Sequence, residues 1–234
     1  MLKKFFFNIP SGGLNMKKIV AILLASVLML TGSLSVSADN TTDVQKFTDV
    51  SPTDYFYEPV KWAIENGITN GTSETTFSPD EKCNVGQIMT FLWRAAGQPQ
   101  VKTTPPLADA NPGDYWYMAA YWGQSLGLYN RALYPNFSCN RVGAVHFIWA
   151  AAGSPECKVR LRFKDTPKGE YEKYYESIAW AVDNGVATGT SDDTFSPGKT
   201  CTRAQIVTFL WRAAQRGLIY AAALPMSSPQ VMTK

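Results

Sequence analysis

The chain writes one helix twice. Residues 83–96 read CNVGQIMTFLWRAA and residues 201–214 read CTRAQIVTFLWRAA, identical at ten of fourteen positions and 118 residues apart. A fixed period constrains the fold more than any local propensity, because each copy must be one supersecondary unit whose apolar face its neighbours cover. The repeat extends upstream, where FTDVSPTDYFYEPVKWAIENGITNGTSETTFSPDEKC starts at Phe47 and FKDTPKGEYEKYYESIAWAVDNGVATGTSDDTFSPGKTC starts at Phe163. After a two-residue insertion in the later copy, Tyr57, Trp62, Gly67, Gly71, Phe77, Pro79 and Cys83 recur as Tyr175, Trp180, Gly185, Gly189, Phe195, Pro197 and Cys201. A weaker copy from Leu107 keeps Asp109, Tyr117, Trp122, Gly127 and Phe137, and then loses four residues of the loop before Cys139. The expected boundaries are 47–98, 107–154 and 163–214, separated by the linkers GQPQVKTTPP and GSPECKVR.

Each copy reads as helix, loop, helix. Val60, Ala63, Ile64 and Ile68 recur at helical spacing in the first helix, with Gly67 where a C-cap belongs. Ile206, Phe209, Leu210 and Ala213 do so in the second, with further apolar neighbours. So wide a stripe has to be buried on more than one side, which one repeat alone cannot achieve. The fold class is therefore mainly α, with copies packed on one another.

The ends of the chain are read as targeting and tail. From Met16 the sequence runs MKKIVAILLASVLMLTGSLSVSA, a basic pair, an apolar run and small residues up to Ala38, which is the pattern of a secretory signal peptide. Residues 1–38 are assigned to an upstream extension and this signal, with Met1 and Met16 both open as the start. Removing them removes Lys3, Lys4, Lys17 and Lys18 and no acid, so 22 basic residues fall to about 18 against 19 acidic ones. The basic balance belongs to the signal, and nothing remains to suggest nucleic acid or an anionic membrane as partner. No membrane-spanning run follows Ala38. Residues 215–234 form a tail of unknown role, in which Leu224–Ser228 (LPMSS) lacks the rest of a wall-sorting signal.

Taken together, the opening F-x-D-V, the aromatic-Tyr pair before the first helix, G-I/V-x-x-G-T-S, T-F-S-P and T-R-A-Q resemble the S-layer homology repeat of bacterial surface proteins. The resemblance covers Phe47 to Ala214 and implies three repeats in a pseudo-threefold arrangement around a central helix bundle. It implies non-covalent anchoring to the cell wall through secondary wall polysaccharide, hence a secreted, surface-located, non-enzymatic protein that needs no cofactor.

Several motif residues have a purely structural reading. Thr202 with Gln205, and Asn84 with Gln87, form capping boxes. Cys83, Cys139 and Cys201 stand one residue before the cap, where a small apolar side chain staples onto Ile88, Ala144 or Ile206. With Cys157 they make neither a persuasive disulfide framework nor a metal site. Arg203 and its counterpart Arg141 differ, because a cation at the first helical position opposes the helix dipole. An arginine beside spare helix amides would bind an anion, and the resemblance supplies one: wall glycans that often carry pyruvate ketals. Val85 then marks the repeat that lost this charge. The remaining candidate glycan contacts are Gln205, Gly189, Ser191, Asp192 and Trp180. The competing readings are a secreted wall-glycan enzyme and a protein-interaction scaffold. Against an enzyme, the single His146 has no nucleophile or metal-ligand cluster beside it, and Asp49 and Asp165 recur once per repeat as architecture would.

Overall fold

Six helices form where the apolar periodicity places them: α1 (Tyr57–Glu65), α2 (Val85–Ala95), α3 (Tyr117–Ser125), α4 (Arg141–Ala151), α5 (Tyr175–Asp183) and α6 (Arg203–Gln215). They are seen in a computed structural model that describes residues 43–166 and 172–219. The assigned signal segment and residues 220–234 lie outside the described residues. Each helix ends on a glycine at positive φ, such as Gly67 at 65°. There the Gly67 amide donates to Ile64 and the Ile68 amide to Ala63, the paired bonds that satisfy the last free carbonyls. No strand occurs among the described residues.

The helix starts follow the sequence equally closely. Thr202 Oγ1 accepts from the Gln205 amide at 3.3 Å while Gln205 Oε1 accepts from the Thr202 amide at 3.2 Å. Asn84 and Gln87 form the same box. In the middle copy Asn140 caps the Gly143 amide, and Gly143 has no side chain with which to reciprocate.

Tertiary packing is not arranged as helix, loop, helix would suggest. α1 packs chiefly on α6, α3 on α2, and α5 on α4, so the first helix of each copy lies against the second helix of the preceding one. Because α1 closes on α6, the three copies form a ring. Around its axis α2, α4 and α6 meet in a core containing the fully buried Ile88, Leu92, Ile148, Ile206 and Leu210.

The cysteines close the ring at its centre. The Cys83 amide donates to the Cys201 carbonyl, Cys201 to Cys139, and Cys139 to Cys83, at 3.0, 2.9 and 2.8 Å. All four cysteines are free thiols, and the three at the axis are buried. Burial pushes the Cys83 and Cys201 thiols up to about 12. No group of side chains suited to a metal occurs among the described residues.

Candidate functional site

Each second helix begins in a groove against the next copy, and the backbone there is already occupied. The Arg203 amide donates to the Glu81 carbonyl and the Ala204 amide to Pro79, while the Gln205 amide is held by Thr202. Arg141 and Val142 donate likewise to Lys199 and Pro197, and Val85 and Gly86 to Phe137 and Pro135. The expectation of spare helix amides waiting for an anion is thereby corrected: carbonyls of the neighbouring loop take them, because those loops carry the inter-repeat contacts.

The arginines themselves are covered. Arg203 is 2% exposed and Arg141 5%. Arg203 Nε donates to the Phe77 carbonyl at 3.0 Å, and its guanidinium carbon lies 4.9 Å from the Phe77 ring and 5.4 Å from that of Phe91. Its Nη2 is buried with no hydrogen-bond partner among the described residues. Arg141 is tied at two points, Nε to Phe195 O at 2.9 Å and Nη2 to Thr188 O at 2.6 Å. Neither arginine forms an ion pair among the described residues. Burial therefore lowers the affinity of both guanidinium groups for their proton, and neighbouring acids and thiols only partly offset this.

The three grooves are chemically distinct. Between the third and first copies, Arg203 is tied to Phe77, and the half-buried Arg212 is close enough to the exposed Tyr55 to favour its ionisation, against burial and Asp80. Between the second and third, Arg141 is consumed, and His146 packs 4.9 Å from Tyr174 and 5.5 Å from Trp149. Burial and Lys173 hold that imidazole below its usual range. Between the first and second copies Val85 brings no charge of its own, aromatic residues gather, and burial holds the Tyr115 hydroxyl above its usual range while Arg203 and Arg94 partly offset this.

Other sequence candidates separate in the same way. Trp180 is 3% exposed and belongs to the core, so its assignment as a glycan contact is corrected. Gly189 is needed for packing, since a Cβ there would come within 2.4 Å of the Ser191 carbonyl and 2.5 Å of the Phe163 ring. Ser191 is exposed but bonded to Thr194 Oγ1 at 2.6 Å and to Asp193, whereas Asp192 is exposed. Gln205 is engaged in its cap. Asp49 accepts from the Phe77 and Ser78 amides, Asp109 from Leu133 and Tyr134, and Asp165 from Phe195 and Ser196. That register also corrects the sequence alignment of the middle copy: Leu133, not Phe137, takes the place of Phe77. The missing four residues had hidden this.

The family model of the S-layer homology domain matches residues 46–84 and 162–207, and the chain carries S-layer homology domains there. The middle segment lies outside both matches. Among curated proteins, an endoglucanase from Bacillus sp. (strain KSM-635) is 24% identical over 222 residues, covering 87% of this chain. This chain spans 23% of that relative's length.

Proposed function

We propose that this chain, whose S-layer homology domains mark it for cell-wall anchoring, holds to the wall by binding an anionic secondary polysaccharide in the groove between its third and first copies. The observation that carries the reading is Arg203, a buried cation with a bare Nη2 and no carboxylate partner among the described residues. An uncompensated buried charge is destabilising, and an anion entering the groove relieves it. Arg212 and the exposed Tyr55 add a second cation and an apolar face at the rim. A pyruvate ketal on a sugar presents a carboxylate of the right charge beside an apolar methyl group. We take the chain to be exported and to act without catalysis. The acids common to all three copies are engaged as acceptors of backbone amides, which supports an architectural role for them.

The test is co-sedimentation of the full exported chain with purified wall sacculi, before and after extraction of secondary polymer. Arg203→Met is expected to lower retention at least tenfold, and extraction or chemical removal of pyruvate to abolish it. Equal retention on extracted sacculi would overturn the reading.

A further inference from the structure

The groove between the first and middle copies departs from the other two at coupled positions, all in one direction. Val85 stands where the others have Arg141 and Arg203, and Phe137 where they have Lys199 and Glu81. Tyr134 replaces Ser78 and Ser196, and keeps their backbone at φ 57°. Serine tolerates a left-handed backbone better than a ring does, so a tyrosine there is a strained choice that packing does not require. Its side chain is not buried: Tyr134 is 60% exposed and Phe137 66%, stacked with centroids 5.5 Å apart and planes at 10°. Two large aromatic rings stacked on one another in solvent form a flat apolar platform.

Beside the platform lies a cavity of about 420 Å³, lined also by Asp109, Asn111, Asp114, Trp116 and Asn136. Its size falls in the range of small-ligand sites. The lining holds two carboxylates and two amides and no cation. Asp109 is used by the Leu133 and Tyr134 amides, and Asp114 gives only Oδ2 to the Asn111 amide, at 2.8 Å. Such a surface repels anions. It suits a neutral molecule that has one apolar face and a rim of hydroxyl donors.

We propose that the Tyr134–Phe137 platform and its cavity form a second carbohydrate subsite, which takes the apolar face of a neutral pyranose. The sugar lies on the ring pair, one hydroxyl donates to Asp114, and Asn111 or Asn136 pairs with a second. Only the source of the sugar, a wall glycan, rests on the anchoring reading above. The two grooves then read different parts of one polymer, an anionic unit at Arg203 and a neutral one here.

The full chain is titrated with hexamers of β-1,4-linked glucose and of β-1,4-linked N-acetylglucosamine, with polygalacturonate as anionic control, by calorimetry and saturation-transfer NMR. At least one neutral hexamer is expected to bind, with Tyr134→Ser and Phe137→Lys each weakening it tenfold or more. Tyr134→Gly guards against misfolding: it relieves the backbone, so it should melt higher than wild type while still losing the sugar. The proposal is overturned if neither hexamer binds, if the platform variants bind like wild type, or if they only change the sedimentation coefficient, which would make the platform a contact between copies. Failure of sacculus retention with intact hexamer binding would remove the anchoring reading alone.

Discussion

Arg203 Nε donates a 3.0 Å hydrogen bond to the carbonyl oxygen of Phe77, 126 residues earlier, and so fastens the last copy of the repeat to the first. Arg141 makes the corresponding bond to Phe195, and adds a second to Thr188. The side chain that breaks the dipole rule at the helix start is thus the joint of the ring.

The two joints should respond differently to methionine, which keeps length and apolar contact while removing charge. Arg203→Met removes one hydrogen bond and also a buried nitrogen that has no partner, so its stability should stay within about 1 kcal/mol of wild type. Arg141→Met strands two carbonyls and should lose about 2 to 6 kcal/mol, at roughly 1 to 3 for each unsatisfied group. Urea denaturation of both variants measures this; equal losses would show that the bare Nη2 carries no penalty.

The middle helix should gain from completing its cap. Gly143 stands where Gln87 and Gln205 close the other boxes, and its amide already bonds Asn140. A Cβ there would lie 3.0 Å from Asn140 Oδ1, a contact that a small turn of the amide relieves. Gly143→Gln removes a helical glycine and supplies the reciprocal acceptor, together worth about 1 kcal/mol or somewhat more. Thermal melts should rise by roughly 2 to 5 °C.

Much of this architecture was legible in the residues themselves. Gly67 and the Thr202–Gln205 pair announce a helix end and a helix start through chemistry that is local in sequence. The partner of Arg203 was not legible, because Phe77 is brought to it only by ring closure, and helical periodicity says which face is buried without saying by what. The helix amides looked free for the same reason: their acceptors, Glu81 and Pro79, belong to another copy. Trp180 shows the converse limit, since its spacing fits both a core position and an exposed ring. The middle copy misled by its deletion, which made Phe137 look like the counterpart of Phe77 when Leu133 fills that place.

Stability should fall in alkali through the axial thiols. Burial raises Cys83 and Cys201 from an ordinary 9.0 to about 12, so the folded chain keeps protons that the unfolded chain releases. The contribution is fully present below pH 9 and is lost progressively as pH rises toward 12. Denaturation midpoints between pH 8 and about 11 should decline, with a shallower slope in Cys83→Ala, even though that variant starts lower because of its cavity. Native-state alkylation at pH 8 should be slow for these thiols and faster for the half-buried Cys157.

Gly86 and Trp116 form a complementary pair that neither of the other grooves repeats. A Cβ on Gly86 would lie 3.2 Å from Trp116 Cδ1 and 3.1 Å from Pro135 Cβ, both tighter than ordinary contact. The equivalent pairs are Val142 with Tyr174 and Ala204 with Phe56, a side chain facing a smaller ring in each case. Gly86→Ala should therefore destabilise by about 1 to 3 kcal/mol through overpacking, even though alanine favours the helix. Trp116→Phe should destabilise through the space it opens. Combined, the two changes rebuild the contact between third and first copies, so the double variant should be more stable than the sum of the single effects by roughly 0.5 to 3 kcal/mol. A double-mutant cycle in urea measures the coupling, and additive losses would show that Trp116 is held by the rest of its cavity and not by Gly86.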